Sequence, residues 1–150
     1  MGTTVTRPRA WQSWKESNRM ALLAAFEDSV TGTRVKEFRQ GLTRDLGSDC
    51  RIVEHIWVFS TFRLRELQEI AAEEASASDL VIISVHQDHG LPDEVKSWID
   101  LWLRPIVPHP AVLLALLDPD REAGRNPVQA YLQEAAHRGG MEFLAESMEE

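Results

Sequence analysis

Seven side chains able to do acid–base or metal chemistry stand directly behind apolar runs in this 150-residue chain. Glu27 and Asp28 follow Met20 to Phe26 (MALLAAF), His86, Asp88 and His89 follow Leu80 to Val85, and Asp118 and Asp120 follow Ala111 to Leu117. If the three runs are neighbouring parallel strands, their carboxyl ends carry these groups to one rim, where open α/β sheets bind ligands. Strands one and three would meet at the switch point, so Asp28 and His86 could approach each other. Carboxylate and imidazole in that place suit a divalent cation or general acid–base work. The plain alternative is that they are solvated loop residues that end apolar strands and cap nearby helices, and spacing across loops does not choose between the two. No metal is assigned. Neither Ser84 nor Cys50 lies in a nucleophile-elbow or cysteine–histidine signature, so no catalytic residue is assigned either.

The elements that must position these groups can be read from periodicity. Leu80 to Val85 is apolar without alternation, which suits a strand covered on both faces, and Ala111 to Leu117 reads the same way. Met20 to Phe26 is the first strand, and Glu27 to Gly32 a loop. A helix from about Thr33 to Leu46 follows, with Val35, Phe38, Leu42 and Leu46 at helical spacing and Gly47 as its stop. Ile52 to Phe59 alternates partly and suits an edge strand. Phe62 to Ser78 is a helix with Leu67, Ile70, Ala71 and Ala75 facing inward. The next helix opens at Pro92 with Asp93 and Glu94 in its first turn, buries Val95, Trp98, Ile99, Trp102 and Leu103, and ends before Pro105, Pro108 and Pro110. Asn126 and Pro127 start a last helix facing inward with Val128, Tyr131, Leu132 and Ala135, and Gly139–Gly140 stop it before a short strand, Met141 to Ala145. Alternating strands and helices imply a parallel sheet with right-handed crossovers. The expected fold is a three-layer α/β/α sandwich with a five-stranded parallel sheet in the flavodoxin-like, Rossmann-like order 2-1-3-4-5, spanning residues 20–150, with residues 1–19 an N-terminal extension.

Composition fits one globular domain: 43% hydrophobic and 27% charged residues are ordinary for a chain that buries its own core. No apolar run has the length of a membrane span, and Met1 to Met20 lacks the apolar core of a signal peptide. The single cysteine, Cys50, excludes an internal disulfide. These features point to the cytoplasm and to no membrane partner. A net charge of −8 argues against nucleic acid, which needs a concentrated basic surface.

Gly90, Leu91, Pro92, Val95, Lys96, Ile99, Asp100, Trp102 and Leu103 resemble a segment of the NAD(P)H-dependent FMN reductases, in the wider flavodoxin-like group. The resemblance implies that His86, Gln87, Asp88 and His89 stand where that family's loop approaches a flavin ring, although the family's aromatic residue is replaced. Ser29, Thr31, Gly32 and Thr33 resemble the flavodoxin phosphate loop, where hydroxyls and N–H groups at a helix N-terminus would take the phosphate of FMN or a nucleotide. Glu27 and Asp28 oppose that charge, so the cofactor stays open. A second resemblance is to response-regulator receiver domains: Asp79 to Ser84 is similar to the receiver strand that ends in the phospho-accepting aspartate, with Glu27–Asp28 as the acidic pair. Ser84 takes the acceptor position and Glu146 replaces the expected lysine, so the usual phosphorylation is not implied.

Trp98 and Trp102, four apart, read as helix-face core, the alternative being a homodimer patch. Trp11 and Trp14, with Arg7, Arg9, Lys15 and Arg19, form the only basic aromatic segment, suited to a protein partner or to folding onto the chain's own acidic body. Glu73, Glu74, Glu146, Glu149 and Glu150 read as solvated faces. The leading functional expectation is a degenerate, non-catalytic flavodoxin-like domain of the bacterial cytoplasm, acting through ligand sensing or protein contacts. The alternatives are an FMN-dependent NAD(P)H oxidoreductase and a phosphorylation-incompetent receiver-like signalling domain.

Overall fold

The computed structural model describes residues 8–86, 90–103, 110, 112–119 and 127–147. The chain runs α1 (Trp11–Ser17), β1 (Arg19–Phe26), α2 (Ser29–Leu46), β2 (Arg51–Val58), a 3-10 turn (Phe59–Arg63), α3 (Arg65–Ser76), β3 (Leu80–Ser84), α4 (Asp93–Trp102), β4 (Val112–Leu117), α5 (Pro127–Arg138) and β5 (Glu142–Ser147). The five strands form one sheet in the order β2-β1-β3-β4-β5, and every neighbouring pair is parallel. This is the flavodoxin-like topology expected from the alternation of strands and helices. Phe26 lies opposite Ser84, and Ser84 opposite Leu116, so the carboxyl ends of β1, β3 and β4 are abreast.

The sequence of each strand explains its place. Every residue of β3 and β4 is buried, as unbroken apolar strands between two helical layers must be. Strand β2 mixes exposed and half-buried positions because, among the described residues, β1 is its only strand neighbour. Leu23, Ala25, Val81, Ile83, Leu113 and Ala115 face α3, α4 and α5, where Trp98 and Trp102 are fully buried and Phe62 stacks on Trp98 with ring centroids 4.7 Å apart. Leu22, Ala24, Ile82, Leu114 and Leu116 face the other way, against Val35, Phe38 and Leu42 of α2 and against Trp11 and Trp14 of α1. The tryptophans of α4 are therefore core, as their spacing indicates, and those of α1 are docked on the chain's own sheet.

The short helix α1 was not legible in the periodicity, and it covers sheet that α2 alone leaves open. Other boundaries also move. Helix α2 begins at Ser29 rather than Thr33, so Ser29 to Gly32 are its first turn and not a loop. The stretch Phe62 to Ser78 divides into the 3-10 turn and α3, whose buried residues are Gln68, Ala71, Ala72 and Ala75, while Ile70 is 48% exposed. The buried amide of Gln68 donates from Nε2 to the Phe62 carbonyl at 2.6 Å, which fixes the helix start and turns Ile70 outward. Strand β5 is displaced towards the C-terminus of the expected segment, from Met141–Ala145 to Glu142–Ser147. Asn126, Pro105 and Pro108 lie outside the described residues.

Candidate functional site

The rim is assembled from three consecutive strand ends. At the end of β1 the chain turns directly into α2, and Asp28 is the N-cap. Its Oδ1 accepts the Thr31 backbone N–H at 3.0 Å, while the Thr31 hydroxyl accepts the backbone N–H groups of Glu27 and Asp28 at 2.9 and 2.8 Å. The two residues thus satisfy orphan donors reciprocally at the start of the helix. Gly32 fits because Phe26 lies against it: a Cβ there would meet the ring at 3.0 Å. The fully buried Ser84, last residue of β3, donates its hydroxyl to the Thr31 carbonyl at 2.8 Å and locks this turn to the next strand.

His86 lies two residues beyond β3, and the surrounding strand ends close on it. Its backbone N–H donates to Glu27 Oε1 at 3.0 Å. Its ring Nδ1 is 2.9 and 3.2 Å from the two carboxylate oxygens of Asp118, the residue after β4, and its Nε2 is 3.0 Å from Asp28 Oδ2. Asp118 is held from behind by Arg34 of α2, whose guanidinium Nη1 is 2.7 Å from Asp118 Oδ1 and whose side chain is 5% exposed. The charges alternate along the chain Arg34, Asp118, His86, Asp28. The inner end is buried, while the Asp28 side chain is 46% exposed.

This environment sets the protonation states. Burial alone would lower the His86 pKa, but hydrogen bonding and charge from Asp118, then charge and hydrogen bonding from Asp28, outweigh it and raise the pKa above 6.5. Asp28 is shifted below 3.8, chiefly by the Thr31 backbone N–H. Burial opposes this shift, while the Thr31 hydroxyl and the charge and hydrogen bond of His86 add to it. With an oxygen acceptor at each ring nitrogen, the arrangement is satisfied best by an imidazolium donating two hydrogen bonds. In that state the ring has no lone pair to offer as a base.

Glu27, Asp28, His86 and Asp118, expected at one rim, are therefore together, and the approach of Asp28 to His86 is direct. Gln87, Asp88, His89 and Asp120 lie outside the described residues. Of the phosphate-loop candidates, Ser29 and Thr33 are helical residues, with the Thr33 hydroxyl donating to the Ser29 carbonyl at 2.9 Å. Thr31 is wholly buried and engaged by its own turn, and Gly32 is packed on Phe26. Among the described residues no three His, Cys, Asp or Glu side chains are grouped to hold a metal ion. Asp28 and Asp118 address opposite nitrogens of one ring, so they do not converge on a shared point. Arg34 is the residue the sequence reading missed as a partner. Its signal was its place at helical spacing between Thr31 and Phe38 on the buried stripe of α2, where a cation requires an anion.

No protein-family model matches the chain, and no curated protein sequence does. The flavodoxin-like description rests on strand order and connectivity, a scaffold that carries many unrelated functions.

Proposed function

We propose that this chain is a non-catalytic flavodoxin-like module of the cytoplasm, working by ligand sensing or protein contacts rather than by flavin chemistry or phosphoryl transfer. The observation that carries the reading is the occupied N-terminus of α2. A phosphate held there would compete with Asp28 for the Thr31 N–H and with the Thr31 hydroxyl for the N–H groups of Glu27 and Asp28, and it would meet the carboxylates of Glu27 and Asp28. The receiver-like alternative is disfavoured at the same rim: Ser84, in the acceptor position, is fully buried with its hydroxyl bonded to the Thr31 carbonyl. The surrounding ion network joins three strand ends, and its outer member, Asp28, faces water.

The purified chain tests this directly. A colourless sample, a melting temperature unmoved by FMN and a mass unchanged after exposure to an acyl-phosphate donor are expected. A yellow protein, or one stabilised by FMN, would favour the oxidoreductase reading instead, since a ligand binding only the folded state raises its apparent stability. A phosphoryl mass increment would establish the receiver-like reading.

A further inference from the structure

We propose that His86 is a proton-operated latch on this rim, closed when its ring carries two protons and open on the Asp28 side when it carries one. The inference rests on the reading of the rim as a sensing or contact surface, and it names the signal and the moving part. In the closed state the ring donates from Nδ1 to Asp118 and from Nε2 to Asp28, pinning the β1–α2 junction to the end of β4. Loss of one proton to solvent leaves a single N–H to be placed. Asp118 offers both carboxylate oxygens to Nδ1, at 2.9 and 3.2 Å, and is itself fixed by the buried Arg34, so the remaining proton stays on that nitrogen. The bare lone pair of Nε2 then faces Asp28 Oδ2 at 3.0 Å, acceptor against acceptor. Asp28 is the member able to yield. Its side chain is 46% exposed, and its Oδ1 can keep the Thr31 N–H while Oδ2 turns to water.

The groups around the ring decide how firmly the proton is held. From the β1–α2 junction come Glu27, on the His86 backbone N–H, and Asp28. From the end of β4 comes Asp118, and from α2 comes Arg34, acting through Asp118. On β5, Glu146, expected from the sequence on a solvated face, is instead buried, in register with Leu116, two residues before Asp118. Among the described residues around the ring, carboxylates outnumber guanidinium, and although burial lowers the His86 pKa, Asp118 and then Asp28 raise it above 6.5. Opening uncovers Nε2 as a hydrogen-bond acceptor oriented by Asp118. The class of group it would then receive is a hydrogen-bond donor such as an ammonium or amide N–H, refused while the ring is doubly protonated.

Nitrogen-15 spectra of the full chain between about pH 5 and about pH 9 test the latch. His86 should titrate with a midpoint above 6.5, Nδ1 should keep its proton, and the Glu27, Asp28 and Thr31 amides, together with the Asp28 carboxyl followed by carbon-13, should move with the same midpoint. Asp28→Asn should lower that midpoint. His86→Gln, which cannot titrate, should abolish the coupled movement of the Asp28 and Thr31 signals. Asp28 and Thr31 signals that stay still while His86 titrates, or that still move in the glutamine variant, would overturn the latch. FMN binding at both ends of the pH range would overturn the module reading and leave the latch standing. A pH-silent Asp28 in a colourless sample would overturn the latch alone.

Discussion

At the scale of single residues, the rim is ordered by how much water each charge retains. Arg34 is almost wholly buried, Asp118 and His86 are each about a quarter exposed, and Asp28 is nearly half exposed. A cation taken from water this completely is tolerated only with an anion in contact, so removing that anion should be felt more than removing the imidazole. Asp118→Asn should therefore destabilise the fold by about 3 kcal/mol, the lower end of the range for breaking a buried pair, because Asp118 retains some solvent. His86→Asn should cost less, since Asp118 keeps Arg34 and Asp28 keeps the helix cap. Urea denaturation of the two variants at neutral pH checks the ranking, which a network held mainly by the histidine would reverse. Asp28→Ala should cost about 1 kcal/mol through the lost cap alone.

At the scale of elements, α1 is the piece whose contribution is easiest to underestimate. Seven residues cannot hold a helix in water unaided, and its only buried residues are Trp11 and Trp14, 6% and 4% exposed against the α2 face of the sheet. The two rings lie 6.3 Å apart and close on Phe38, Leu42, Leu80, Val112, Leu114 and Leu144. Trp14→Ala should thus cost about 3 to 5 kcal/mol, a core truncation and not a surface change. Thermal unfolding followed by circular dichroism measures it, and a melting temperature within a degree or so of wild type, against an expected fall of at least several degrees, would mean α1 is dispensable. The same helix shows why some elements were legible in the sequence and others were not. Strands β3 and β4 announce themselves because both faces are covered and every position is apolar. In α1 two tryptophans carry the whole apolar face amid polar neighbours, too few to set a period. The first turn of α2 was hidden because Ser29, Thr31 and Gly32 have the composition of a loop, and only the reciprocal bonding of Asp28 and Thr31 makes them helical. The meeting of Asp28 with His86 followed from strand order alone. The pairing of Arg34 with Asp118 did not, because it depends on which face of α2 turns inward.

At the scale of the whole molecule, the rim network should be visible in the pH dependence of stability, and its sign follows from the two shifts. His86 has its folded-state pKa raised above 6.5, so the stability it contributes is complete below that value and is lost as the pH rises through the higher folded-state value. Asp28 has its pKa lowered below 3.8, so its contribution is present above that value and disappears as the pH falls through the lower folded-state value. Between these limits both contributions coexist, which places the plateau on the acid side of neutrality and predicts a decline beginning just above pH 6.5. The chain's net charge of −8 steepens that decline, because each proton lost from the rim adds to an existing excess of negative charge. Added salt should soften the surface part of it while leaving the buried Arg34–Asp118 contact nearly untouched. In His86→Gln the alkaline decline attributable to the rim should vanish while the acid limb set by Asp28 remains. Denaturation midpoints of wild type and variant across pH separate the two limbs, and an alkaline limb of equal size in both chains would remove the imidazole from the account of stability.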